Sequence, residues 1–173
     1  MAALFNEKTG IAVAGTHGKT TTSAMIATIL REAGYDPGFL IGARVPSLGD
    51  VNGRWSESAW MVVEADEFDD AFLRYQPSIA VLTHLEPDHL DYFGSTERMV
   101  AAFEQFVDGL PPESTLIARA DIELLRPVAA RHAGRLVWFG PGEGWDITAY
   151  APSSAGVSLD VTTPHGPAVS RLA

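Results

Sequence analysis

Residues Gly15 to Thr21 read Gly-Thr-His-Gly-Lys-Thr-Thr, a run whose types and spacing suit it to hold phosphate. The two glycines let backbone N–H groups come close to phosphate oxygens, and a helix opening at this point aims its unpaired amides at the same anion. Lys19 can reach the β- and γ-phosphates of a nucleotide, and the Thr20 hydroxyl can bind Mg²⁺. The long form of this motif starts with a glycine five residues before Gly18, where this chain has Val13. What remains is the short form, G-x-x-G-K-T. Gly15, Thr16, His17, Gly18, Lys19, Thr20 and Thr21 are therefore assigned to nucleotide binding, with Mg·ATP as the expected ligand. Within the loop, His17 either touches a substrate or shapes the turn.

Two acidic segments follow. Glu64-Ala65-Asp66-Glu67-Phe68-Asp69-Asp70 places five carboxylates directly after the apolar run Met61–Val63. Charge pattern alone reads equally as a solvated acidic loop. Its place at the end of an expected strand favours a metal ligand, because ligands gather at the carboxyl ends of strands in α/β sheets. Glu64 stands nearest the strand and is the first candidate to hold the Mg²⁺ of a bound triphosphate; individual roles for Asp66, Glu67 and Asp69 are left open. The segment Thr83-His84-Leu85-Glu86-Pro87-Asp88-His89-Leu90-Asp91 also follows an apolar run. It offers hard-metal or phosphate contacts but no zinc spacing. Arg44, Arg54 and Arg74 are basic candidates for an anionic second substrate, or ordinary surface residues.

An alternation of strands and helices must carry these segments. Ile11–Ala14 predicts a strand entering the glycine loop, and Thr20–Ala33 a helix closed by Gly34. Further strands are expected at Phe39–Ile41, Trp60–Val63, Ile79–Thr83, Thr115–Ala118 and Leu136–Phe139. Helices are expected at Ser95–Val107, where Met99, Phe103, Phe106 and Val107 share a face, and at about Ile122–His132. This is the pattern of an α/β fold with a mostly parallel sheet flanked by helices, like a P-loop NTPase. After Gly140, the stretches Asp146–Tyr150, Val157–Thr163 and Val169–Leu172 predict a short antiparallel section covering about residues 140–173. The 173 residues fit one domain.

Composition narrows the function classes. The chain is 46% hydrophobic and 20% charged, has no cysteine, and carries a formal charge of −10. That charge argues against a nucleic-acid partner, which would need clustered Lys and Arg. Neither a membrane-length apolar run nor a secretory leader is visible, so no membrane is expected and a cytoplasmic setting is. An acidic protein that takes up an acidic nucleotide needs a local cation, which Lys19 and a metal ion can supply.

As a set, GTHGKTTT (Gly15–Thr22), FLIG (Phe39–Gly42), EADEFD (Glu64–Asp69) and THLEPDHLD (Thr83–Asp91) resemble the central ATP-binding domain of the Mur ligases, the amide-forming enzymes of peptidoglycan precursor synthesis. The similarity spans most of residues 10 to 140. It implies a carboxylate–amine ligase in which ATP phosphorylates a carboxylate and an amine attacks the acyl phosphate. It also implies roles: Lys19 on the γ-phosphate, Thr20 and Glu64 on one Mg²⁺, and His89 with Glu64 on a second, so that Lys19, Glu64 and His89 are the catalytic candidates. Within the family the motifs most resemble the branch that joins L-alanine to UDP-N-acetylmuramate, with the branch that recycles cell-wall tripeptide as the alternative. One position departs from the pattern, His84 standing where the family usually has Asn. The resemblance further implies an N-terminal UDP-sugar domain, a C-terminal domain and a histidine–asparagine segment near adenine. None of these is found in the 173 residues, so the chain is expected to be an excised central domain without ligase activity of its own. A stand-alone P-loop nucleotide-binding module and a small-molecule kinase are the competing classes.

Overall fold

Alternation along the three central strands decides the layering. In β1 (Thr9–Ala14), Ile11 and Val13 pack on one side of the sheet while Ala12 and Ala14 pack on the other. β4 (Trp60–Glu64) and β5 (Ile79–Leu82) divide in the same way: Val62 and Val81 join the first side, and Met61, Val63, Ala80 and Leu82 join the second. Side chains of successive residues point to opposite faces, so strands apolar at every position need cover on both. The computed structural model describes residues 1–66, 72–87, 93–154 and 156–172 and provides that cover.

The first face is closed by α2 (Lys19–Glu32), which contributes Ala24, Ile26, Ala27 and Leu30. The second is closed by α3 (Thr96–Asp108) and α4 (Leu125–Ala129). From α3 come Met99, Phe103, Phe106 and Val107, all at most 2% exposed, which is the face expected from their spacing. Phe72 stacks on Phe106 and meets Phe103 edge-on beneath them. Ser95 caps α3, its hydroxyl accepting the Arg98 N–H at 3.4 Å. Gly34 ends α2 with φ +84°, the left-handed geometry expected of it.

The large sheet also contains β2 (Gly38–Val45), β3 (Val51–Arg54), β6 (Thr115–Arg119) and β7 (Arg135–Phe139), in the order β3-β2-β4-β1-β5-β6-β7. Among the described residues of this sheet only β3 runs antiparallel, hydrogen-bonded to β2 at one edge. β1 is central, flanked by the parallel partners β4 and β5. The chain therefore departs from β1 toward one side and returns on the other, and the carboxyl end of β1 is a switch point where such sheets bind ligands.

At the opposite end of β1 a short helix, α1 (Ala2–Phe5), drops the Phe5 ring onto Gly10. A Cβ at Gly10 would lie 2.2 Å from that ring, so a side chain there and the ring exclude each other. Three further strands, β8 (Asp146–Ser153), β9 (Gly156–Thr163) and β10 (Gly166–Leu172), form a separate antiparallel sheet in the order β10-β9-β8. The expected α/β class and the antiparallel C-terminal section are both present. No helix of the described residues is long and apolar enough to cross a membrane.

Candidate functional site

The strand β1 delivers Gly15 at its end, and the loop that follows turns on two left-handed glycines, Gly15 at φ +137° and Gly18 at φ +81°. Gly18 is the N-cap of α2 and supplies no side-chain cap, so the first amides of that helix face the loop without a side-chain acceptor from the cap. Gly15 is required twice over: by its φ, and because a Cβ there would fall 2.4 Å from Thr83 Oγ1 and 2.8 Å from His84 O. The neighbouring strand end thus presses directly on the loop.

Three hydrogen bonds fix the charged residues. The Lys19 ammonium donates to Gly15 O at 2.7 Å, folding the lysine over its own loop. The Thr20 hydroxyl donates to Glu64 Oε1 at 2.9 Å. The other oxygen, Glu64 Oε2, accepts the Gly42 N–H at 2.6 Å. Glu64 is the last residue of β4 and so reaches the foot of α2 from the adjacent strand. Thr16, His17, Gly18, Lys19, Thr20, Thr21 and Glu64 together line a cleft of about 290 Å³. Backbone amides, an ammonium, a hydroxyl and a carboxylate there fit a Mg²⁺-bound polyphosphate: cationic donors for the anion and hard oxygen ligands for the metal.

Six of the seven nucleotide-binding residues expected from the sequence therefore line one cleft, Gly15 standing at the strand end beside it, and Glu64 joins them. His89 lies outside the described residues, as do Glu67, Asp69, Asp70, Asp88 and Asp91. Among the described residues no group of three or more His, Asp or Glu converges to hold a metal ion. The arginine candidates divide. Arg44 is paired with Asp50 at 2.7 Å and Arg54 with Asp36, whose carboxyl it holds below the usual aspartate range. Arg74 is exposed, and its carbonyl accepts from Asn6, next to α1 and away from the loop. A larger hollow of about 480 Å³ sits where β6 and β7 end and β8 begins. Its walls are Phe139, Trp145, Ile147 and Val161, and its Arg119 is held by Asp121 at 2.6 and 2.8 Å. The smaller cleft has the chemistry for phosphate.

Three contributors escaped the sequence reading of individual roles. Gly42 gives its amide to Glu64, and a side chain there would displace that carboxylate, since a Cβ would lie 2.8 Å from Glu64 Oε2. The Thr83 hydroxyl donates to His17 O at 2.6 Å. Glu86 meets His17 across the cleft rim, Nε2 to Oε1 at 2.6 Å. A glycine inside an apolar strand, as in FLIG, is the signal for the first, because it marks a close approach. For the other two, sequence carries no signal of pairing across almost seventy residues.

Strand, glycine loop, helix N-terminus and a carboxylate on the adjacent parallel strand define a P-loop nucleotide-binding domain. The Mur ligase middle domain matches residues 13–171, and the chain belongs to that family. It is similar to UDP-N-acetylmuramate–L-alanine ligase of Renibacterium salmoninarum, with 44% identity over 96% of this chain and 36% of that protein. Among solved structures it resembles UDP-N-acetylmuramate:L-alanyl-gamma-D-glutamyl-meso-diaminopimelate ligase from Neisseria meningitides, with a TM-score of 0.82 and 32% identity, over 95% of this chain and 55% of the other. UDP-N-acetylmuramate-alanine ligase from Thermotoga maritima gives a TM-score of 0.77 and 25% identity, over 97% and 38%. The chain spans about a third of the length of the curated relatives it matches.

Proposed function

We propose that these residues are the ATP-binding central domain of an amide ligase that joins L-alanine to UDP-N-acetylmuramate in the cytoplasm. The observation that carries this reading is the Glu64 bridge. One carboxylate links the Thr20 hydroxyl at the foot of the phosphate loop to the Gly42 amide of β2. The similarity to L-alanine ligases supports the choice of substrates, and the likeness to the tripeptide ligase keeps that substrate as the second reading.

Mg·ATP, when bound, supplies the phosphoryl group that activates a carboxylate for attack by an amine. The chain's own residues bind and orient. The α2 amides and Lys19 would hold the phosphates, Lys19 exchanging Gly15 O for a phosphate oxygen and offsetting negative charge where it accumulates. Thr20 and Glu64 would hold one Mg²⁺, and His89 with Glu64 a second. Gly42 keeps Glu64 aimed at the loop by occupying its second oxygen. Amide formation is assigned to a longer chain, in which further domains would bind the sugar nucleotide and the amino acid.

A thermal-shift titration with Mg·ATP tests the binding half. At a hundredfold excess over the dissociation constant a bound ligand adds about 2.7 kcal/mol of apparent stability. The wild-type chain is expected to shift and Lys19→Ala is not; an equal shift in both would remove the site from the loop. Incubating the 173 residues with ATP, UDP-N-acetylmuramate and L-alanine tests the other half. No amide is expected, and turnover would overturn the assignment of ligation to a longer chain.

A further inference from the structure

The phosphate loop has few means of holding its own shape. Both of its glycines are left-handed, and Gly18 adds no capping side chain. Beyond the Lys19 bond to Gly15 O, its bracing comes from the segment after β5. Thr16 N–H donates to His84 O at 3.0 Å, Glu86 N–H donates to the buried Thr16 hydroxyl at 3.2 Å, and Thr83 holds His17 O. These bonds fix backbone positions and the Thr16 side chain. The His17 side chain, 54% exposed on the cleft rim, meets a carboxylate, Glu86 Oε1 at 2.6 Å. The other oxygen, Glu86 Oε2, lies 4.0 Å from His84 Nδ1, a buried nitrogen without a hydrogen-bond partner. Glu86 therefore stands between two imidazoles, one on each of the two strand-end segments.

We propose that Glu86 is a positioning residue for the phosphate loop and acts through His17. The proposal rests on the nucleotide reading above and concerns how that site is kept receptive to an anion. As a contribution to folding, a half-exposed pair of this kind amounts to about 1 kcal/mol or less. Its role at this place is different. A carboxylate left alone on the rim of a triphosphate site repels the ligand, and the His17 ring without this bond has lost one of the contacts that orient it. Pairing answers both: His17 Nε2 occupies Glu86 Oε1, and Glu86 orients the His17 ring.

This division of labour predicts an asymmetry that simple loop support does not. Mg·ATP affinity is measured by calorimetry on the wild type, His17→Ala, Glu86→Ala, Glu86→Gln and the double variant His17→Ala/Glu86→Gln. His17→Ala exposes the carboxylate and is expected to weaken binding about tenfold. Glu86→Ala is expected to weaken it about threefold. Glu86→Gln keeps an oxygen that accepts from Nε2 and is expected to stay near wild type. The double variant is expected to bind more tightly than His17→Ala alone, because the repelling charge has gone. Losses that simply add, or a double variant no better than His17→Ala, overturn the proposal.

A second measurement needs no ligand. Hydrogen exchange of the Thr16 amide in the nucleotide-free chain is expected to quicken in Glu86→Ala and to keep its wild-type rate in Glu86→Gln; equal rates in all three overturn the proposal. If wild type and Lys19→Ala alike bind no Mg·ATP, the nucleotide reading fails, and the exchange rates still decide what Glu86 does.

Discussion

The two sheets of this molecule are built on opposite terms. In the seven-stranded sheet the central strands bury both faces: Ala12, Val13, Val62, Val63, Ala80 and Leu82 are fully covered. In the three-stranded sheet the ladder is longer than any in the large one, with seven paired positions between β9 and β10, yet Ile147, Tyr150 and Val169 are 57%, 72% and 66% exposed. Hydrogen-bond pairing alone contributes little net stability, since water competes for the same groups, whereas apolar burial contributes about 25 cal/mol per Å². The phosphate loop is thus mounted on the part of the chain with a core, and β8–β10 are held mainly by one another.

Two truncations of unequal cost probe the large sheet and the site it carries. Phe103→Ala removes a fully buried ring from between α3 and the sheet and is expected to cost about 3–5 kcal/mol in denaturant unfolding. A cost below 1 kcal/mol would mean the large sheet lacks the core described. Glu64→Ala comes next. It removes the acceptor of the Gly42 amide and the Thr20 hydroxyl, both within reach of water, and the expected loss is about 0.5–1.5 kcal/mol, together with any Mg²⁺ dependence of nucleotide binding. Metal dependence that survives would move the metal away from β4.

Acid sensitivity gives a smaller effect with a definite sign. Asp108 is held below its usual range by the hydrogen bond from Arg131, and Asp121 by that from Arg119. A depressed folded pKa means that the unfolded chain protonates first. The stability from these pairs is thus complete above the ordinary aspartate value of 3.8 and is lost as pH falls below it through the folded values. Urea midpoints taken at descending pH are expected to fall less steeply in Asp108→Asn than in wild type; parallel curves would remove Arg131 from the account. Last and smallest, Val169→Ser in the three-stranded sheet is expected to change stability by under about 0.5 kcal/mol. A larger loss would show that this sheet has a buried face after all.

Much of the large sheet was legible because its strands declare themselves twice, by apolar runs and by the glycines and acids that end them. Six of its seven strands and its two longer helices lie where the pattern placed them, within a few residues. β3 was not legible: Val51-Asn52-Gly53-Arg54 is exposed at every position, so it leaves no periodic trace and exists because β2 offers an edge. Residues Ile122–His132 were expected as one helix, but only Leu125–Ala129 is helical, with Pro127 inside it and unable to donate a backbone hydrogen bond. α1 has only four residues, too few for a period. At the site, the loop and Glu64 were readable from local order. The Gly42 and Glu86 contacts were not, because each depends on which strands become neighbours. That order, β2 beside β4 and β1 beside β5, is a property of the sheet rather than of any segment.

The Phe5 ring over Gly10 has a consequence for how this protein tolerates change. The second residue of the strand that ends in the phosphate loop, Gly10, is a position where a single added methyl group has no space. Alanine at Gly10 would force out a fully buried ring that also meets Tyr75 edge-on at 4.9 Å. A substitution that touches no ligand, changes no charge and is the smallest the genetic code allows would then be felt along the strand at the nucleotide end, as a defect whose cause lies at the far side of the sheet.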